Sequence, residues 1–305
     1  MSMGKNILHL GFSKTGTHWF NDQVYKNNEG VYLLTRKEVF CNLAFMNTFE
    51  YSPADTYRLF QDQSLGKRLV ICDDILLGSL DIGFGSGEYV CMMANRLKET
   101  FGDASVVIFI RNQHEALVSA YSHYIKSGGT YSARKFLGIF RSHRPPFIDY
   151  HLFSPDLFDY SKIIGLYDDL FGHENVHVYL YEDFSRSPES FIQSFCEDLN
   201  LTINQVLDFQ PQNVRLSAWS AGIMQFFNHF TSRNTIFKQY IFSIPRLYEV
   251  LISATGKLDR AFPALRPLAF SGGVHSWIDE RFRMGNRELA RWVNMEKLRE
   301  YGYPL

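Results

Sequence analysis

Residues 5–25 read KNILHLGFSKTGTHWFNDQVY. The apolar run Ile7, Leu8 and Leu10 predicts a short buried strand, and Gly11-Phe12-Ser13-Lys14-Thr15-Gly16-Thr17 turns it into a stretch with helical spacing. A strand that passes through a glycine turn into a helix aims unpaired backbone N–H groups, and the positive end of the helix dipole, at whatever sits in the turn. A phosphate or a sulfate suits such a place. Gly11 and Gly16 permit close approach and positive φ, Lys14 adds a mobile cation, and Thr15 and Thr17 add hydroxyl donors. The order is not that of GxxxxGK[ST], in which Lys follows the second Gly directly; here Lys14 precedes Gly16, which weighs against an ordinary ATPase or GTPase.

Working outward, residues 31–34 predict a second strand, and helical stretches follow at 36–47 and 53–63. The strand from Arg68 to Cys72 ends in Asp73-Asp74, and a Gly/Ser-rich loop at 78–87 leads into a helix from Glu88 to Phe101. SVVIFI, residues 105–110, is the most apolar strand; it runs into Arg111-Asn112 and a helix over 113–126, closed by Gly128-Gly129. After an aromatic loop over 130–160, a helix at 161–172, a strand at 176–181 and a helical region to 199 complete the alternation. Strands alternating with helices predict an α/β fold, a parallel sheet with helices on both faces and ligands at the carboxyl ends of the strands. Beyond residue 205 the pattern becomes helices broken at Pro211, Pro245, Pro263 and Pro267, which reads as a helical C-terminal cap on a single domain spanning 1–305, with the cofactor-binding core in residues 1–200.

The 305 residues carry a formal charge of −1, so there is no global field to attract nucleic acid, and any anionic ligand must meet a local cluster. The four cysteines (41, 72, 91 and 196) are scattered without CxxC spacing, which argues against a disulfide framework or a zinc site and suits a reducing cytoplasm. The sequence holds no uninterrupted apolar run of about 18 residues, so no transmembrane segment is expected.

Lys14-Thr15-Gly16-Thr17-His18-Trp19 resembles the 5′-phosphosulfate loop, K-[ST]-G-T-[TS]-W, of sulfotransferases that use 3′-phosphoadenosine 5′-phosphosulfate (PAPS). Ile110-Arg111-Asn112 with Ser119, Tyr121 and Tyr124 is similar to the second signature of that family, and Tyr179-Leu180-Tyr181-Glu182-Asp183 resembles its LxYED strand end. The resemblance covers roughly the first 190 residues, and it implies a P-loop NTPase-like fold, PAPS as donor and PAP as product. By that resemblance Lys14 is catalytic, beside the bridging oxygen where charge grows as the S–O bond breaks. The same resemblance has residues 14–18, with the Thr15 and Thr17 hydroxyls, hold the 5′ end, and Trp19 stack on adenine. Arg111 and Ser119 bind the 3′-phosphate, and Tyr181 lies near the adenosine. Each has a plainer alternative: Trp19 and Tyr181 as packing, Ser119 on a solvated helix face.

The acceptor's proton also needs a base. Cytosolic members of the family use a His in a Lys-Thr-His context, absent here, whereas carbohydrate-type members often carry a Glu where this chain has Asp73-Asp74. Because successive strand residues face opposite ways, one carboxylate is expected to reach the pocket, and Asp74 matches that Glu; Asp73 and His18 stay open as alternatives. His18 departs from the family's Thr or Ser, Gln113 stands where the family often has Pro, and the donor that completes the 3′-phosphate site from the C-terminal part is unidentified. Asn213-Val214-Arg215-Leu216-Ser217 is similar to carbohydrate-type members, which points to a glycan or lipid-linked acceptor. No metal is expected. The competing readings are an atypical P-loop kinase and a nucleotide-binding protein without turnover.

Overall fold

The computed structural model describes residues 4–12, 15–26, 28–77, 88–139, 153–203, 207–209, 216–231 and 241–305. Five strands, β1 (Asn6–Gly11), β2 (Val31–Leu33), β3 (Arg68–Cys72), β4 (Ala104–Ile110) and β5 (Val176–Leu180), form one sheet in the order β2-β3-β1-β4-β5. Every pairing is parallel; Ile7 lies opposite Val70 on one side and Ser105 on the other.

Alternation along the strands divides the core in two. Leu8, Leu10, Leu69, Ile71, Val106 and Ile108 enter one hydrophobic cluster, and their neighbours Ile7, Val70, Cys72, Val107 and Phe109 enter the other. Both faces are thus buried, as continuous apolar strands require. The first cluster is covered by α3 (Pro53–Ser64), α4 (Glu88–Phe101), α5 (Gln113–Lys126) and α7 (Tyr160–Phe171), with the four-residue α6 (Ala133–Phe136) against α5. The second is covered by α1 (Thr17–Phe20) and α9 (Pro188–Asp198), with α8 (Tyr181–Arg186) following β5 directly.

Two expected helices are shorter than their spacing suggested. α1 continues as a π-helical turn over Asn21–Tyr25, and α2 (Arg36–Val39), opened by a capping box of Thr35 and Glu38, continues as another over Phe40–Ala44. The first of these turns carries Val24 and Tyr25 into the core, where the Tyr25 hydroxyl lies 3.0 Å from His9 Nδ1.

The C-terminal residues form α10 (Ala218–Phe227), α11 (Leu247–Ala261), α12 (Gly272–Glu288) and α13 (Met295–Glu300). Phe270, Val274, Ile278, Phe282, Leu289 and Leu298 belong to the same cluster as the strands, so this part shares the core rather than building its own. Among the described residues no helix is long and apolar enough to cross a membrane.

Candidate active site

The chain leaves β1 toward β2 on one side of the sheet and leaves β4 toward β5 on the other, so the crevice between neighbouring β1 and β4 is the topological switch point. Both motif-bearing turns stand there. Gly11 is the last residue of β1, and a methyl group at that position would overlap the Thr17 hydroxyl, so the side chain of Thr17 occupies the space glycine leaves. Thr15 donates from its N–H (3.1 Å) and its hydroxyl (2.6 Å) to the Phe12 carbonyl, closing the turn, and Gly16 takes the left-handed conformation at φ 95°. The Thr17 hydroxyl is buried with no hydrogen-bond partner, an orphaned donor inside the cradle. Ser13 and Lys14 lie outside the described residues.

The second turn is held from three directions. Asn112 caps α5 by accepting from the His114 N–H (2.9 Å) and donates through its amide to the Tyr301 carbonyl (2.7 Å). Its own N–H donates to Glu182 Oε1 (2.8 Å), while the Tyr160 hydroxyl donates to the Arg111 carbonyl (2.6 Å). Burial pushes the Glu182 carboxyl above its ordinary range, and its other oxygen accepts from Tyr303. Asp183, next in the chain, receives Lys297 and the Tyr301 hydroxyl. The Glu-Asp pair of the LxYED-like stretch therefore ties the chain's last residues to the Arg111 turn.

One aromatic ring joins the two turns. The Arg111 guanidinium, its side chain 13% exposed, lies over the Tyr181 ring at 4.8 Å and also pairs with Glu115 at 3.2 Å. The same Tyr181 ring comes within 3.8 Å of where a Cβ on Gly16 would stand. The cation of the second turn and the glycine of the first thus flank one side chain. Ser119 is half-buried on α5, one turn beyond Glu115 on the same helix face.

Trp19 and His18 both lie on α1. Trp19 is 8% exposed; its indole N–H donates to the Asp208 carbonyl (2.7 Å), and its ring stacks on Phe209 (5.4 Å between centroids) and packs against Phe184 and Phe20. His18 is exposed on α1.

Asp73 and Asp74 stand just past the strand on whose alternation the expectation of a single pocket-facing carboxylate rested. β3 ends at Cys72, and the chain bends into a 3₁₀ turn over Asp74–Leu77, so strand alternation no longer separates the two side chains. Both converge on Arg36. Its guanidinium donates to the two oxygens of buried Asp73 (2.7 Å each) and to Asp74 Oδ1 (2.6 Å). The Asp73 hydrogen bond, opposed by burial and aided by both carboxylates' charge, holds Arg36 protonated more firmly than usual.

The sequence reading missed Arg36. Its signal was a carboxylate pair at the end of a buried strand, which demands a cation, together with an Arg at the start of α2, just after the neighbouring strand β2. Gln113 was also undervalued: fully buried, it exchanges amide hydrogen bonds with Asn286 of α12 (2.7 and 3.1 Å). No group of His, Cys, Asp and Glu among the described residues is arranged to hold a metal ion.

No family model matches the chain, and no curated protein matches it. Among solved structures it is similar to a sulfotransferase from Alicyclobacillus acidocaldarius, at 21% identity and a TM-score of 0.48 over 78% of this chain and 97% of that one. It is also similar to mouse sulfotransferase SULT7A1 complexed with PAP, at 12% identity and a TM-score of 0.44 over 97% of this chain and 87% of that one.

Proposed function

We propose that this chain transfers a sulfuryl group from PAPS to a hydroxyl or amine of an acceptor, a glycan or glycolipid. The observation that carries the reading is the shared Tyr181 ring, with the Arg111 guanidinium at 4.8 Å and the Gly16 turn against it, which puts a fixed cation and a glycine cradle in one crevice. A nucleotide with a phosphate at each end needs both. The orphaned Thr17 hydroxyl supports the fit, since a buried donor without a partner costs stability that an anion's oxygen restores.

In this reading the backbone N–H groups of residues 14–18 and the Thr15 and Thr17 hydroxyls hold the 5′ end, Arg111 and Ser119 hold the 3′-phosphate, and Tyr181 lies beside the adenosine. Lys14 stabilises the charge that appears on the leaving oxygen. The acceptor oxygen forms its bond to sulfur as the S–O bond to the nucleotide breaks, and the acceptor's proton passes to Asp74. Arg36 orients that carboxylate, which leaves Asp74 Oδ2 for the proton. Trp19, packed on Phe184 and Phe209, stands on the adenosine side, as the stacking partner of the adenine. His18, exposed beside the turn, is the alternative base.

Isothermal titration with PAP tests the site. Wild type binds PAP without magnesium, and Arg111→Ala weakens binding by about 10–100-fold, the loss of a charge-assisted phosphate contact. Binding of ATP with magnesium in place of PAP sinks the proposal. A second reading, a nucleotide-binding protein without turnover, draws on the Arg36 clamp, because Asp74 is already engaged by a guanidinium. Transfer of labelled sulfate to a glycan panel, abolished in Lys14→Ala, separates the two; PAP binding with no transfer selects the second.

A further inference from the structure

α10 carries apolar side chains on both sides: Ala221 and Met224 are buried in the core, and a second set faces solvent. Its buried side presents Ser220, bonded to Asp259, and leads on to Asn228, whose amide donates to the Ile125 and Gly129 carbonyls. Its solvent side presents Trp219, Ile223, Phe226 and Phe227, around a groove of about 450 Å³. A helix normally turns its larger apolar side chains inward, and here Trp219 is 68% and Phe226 61% exposed.

The patch continues past the helix. Phe226 packs on Phe230, and Phe230 on Phe242 (5.5 Å), while the Ile241 and Ile244 N–H groups donate to the carbonyls of His229 and Phe230 and strap this segment to the end of α10. Ile241, Phe242 and Ile244 are all exposed there, at 70%, 55% and 43%. Scattered exposed apolar residues need no explanation, but a contiguous aromatic surface marks an interaction site.

Charge selects the partner. Among the described residues of 216–262, three Lys/Arg (246, 257 and 260) stand against two Asp/Glu (249 and 259), in a chain whose total is −1. Asp259 is buried against Ser217 and Ser220, so the outward balance is more basic still. Arg246 and Lys257, with Glu249 between them in sequence, line a second groove of about 680 Å³ that begins two residues beyond Ile244. A second copy docked face to face would set these cations against their equals. An aromatic surface with a basic border matches instead the interface of a membrane with anionic headgroups, where Trp and Phe enter the acyl boundary and Lys and Arg meet phosphate.

We propose that the outer face of α10 and the segment 241–246 form a peripheral docking surface for an anionic lipid bilayer. The inference stands apart from the nucleotide reading, since vesicle binding and PAP binding are measured separately. The test is flotation of the full chain with vesicles of phosphatidylcholine alone and of phosphatidylcholine mixed with phosphatidylglycerol, alongside Trp fluorescence. Wild type floats with the mixed vesicles, with a blue shift that Trp219→Phe removes, and added salt weakens it. Arg246→Gln with Lys257→Gln lowers vesicle affinity about thirtyfold, roughly fivefold per basic residue. Trp219→Ser with Phe242→Ser abolishes flotation while the melting transition is retained.

Absence of flotation, equal capture by neutral vesicles, or unchanged binding by both variants overturns the proposal. A concentration-dependent dimer that Trp219→Ser with Phe242→Ser converts to monomer overturns it too, by assigning the patch to a second copy.

Discussion

Tyr181 shows how much a single side chain can decide. Its ring gives Arg111 a surface to lie on while the guanidinium also pairs with Glu115 of the helix that follows, and the same ring stands beside Gly16 of the first turn. His9 is a second decisive residue, in the opposite sense. It lies fully buried between Phe20 and Phe109, and desolvation pushes its imidazole down to about 3. The unfolded chain takes up a proton below 6.5 that the folded chain refuses, so the stability from this residue is complete above pH 6.5 and is lost as pH falls toward 3. His177, half-buried and lowered by the same cause, adds in the same direction. The expected loss from His9 is about 1.4 kcal/mol per pH unit below that point. Urea denaturation of wild type and His9→Gln across this range checks it; parallel pH profiles for the two proteins contradict it.

At the scale of elements, the β4 to α5 turn is rigid because distant parts of the chain hold it. Glu182 at the start of α8, Tyr160 at the start of α7 and Tyr301 after α13 all bond to the backbone or side chain of Arg111 and Asn112. Gln113 fixes the next residue through its reciprocal pair with Asn286, a buried link between α5 and α12. Removing one partner leaves a buried amide unsatisfied, so Gln113→Leu costs about 1–3 kcal/mol. The double change Gln113→Leu with Asn286→Leu costs less than the sum of the singles, measured by chemical denaturation. Strict additivity means that the pair is not coupled.

For the whole molecule, strand order is what turns two local motifs into one site. β1 and β4 are neighbours whose exits diverge, and only that placement opens a crevice between the loops they carry. A nucleotide that bridges them stabilises the folded chain as a unit. PAP at about one hundred times its dissociation constant adds roughly 2.7 kcal/mol and raises the melting temperature by about 5 °C, equally with a chelator present. A shift seen only with ATP and magnesium, in a thermal melt, goes against the site described here. The helix that carries the exposed aromatic face, α10, packs against α5 through Gln225 and the Tyr121 hydroxyl.

Within local windows the sequence was sufficient. Short apolar runs marked the five strands, glycine and threonine chemistry the first turn, and an Arg at a strand end the second, because such runs and turn geometry are properties of neighbouring residues. Only the tertiary structure set partners that lie far apart along the chain. Arg36 meets Asp73 across 37 positions, and Trp19 gives its indole proton to a carbonyl 189 positions away. Neither contact leaves a periodic trace, since each depends on which strands adjoin and where a loop returns, and the same holds for the outward aromatic face of α10, whose apolar spacing reads identically whether a helix turns it inward or out.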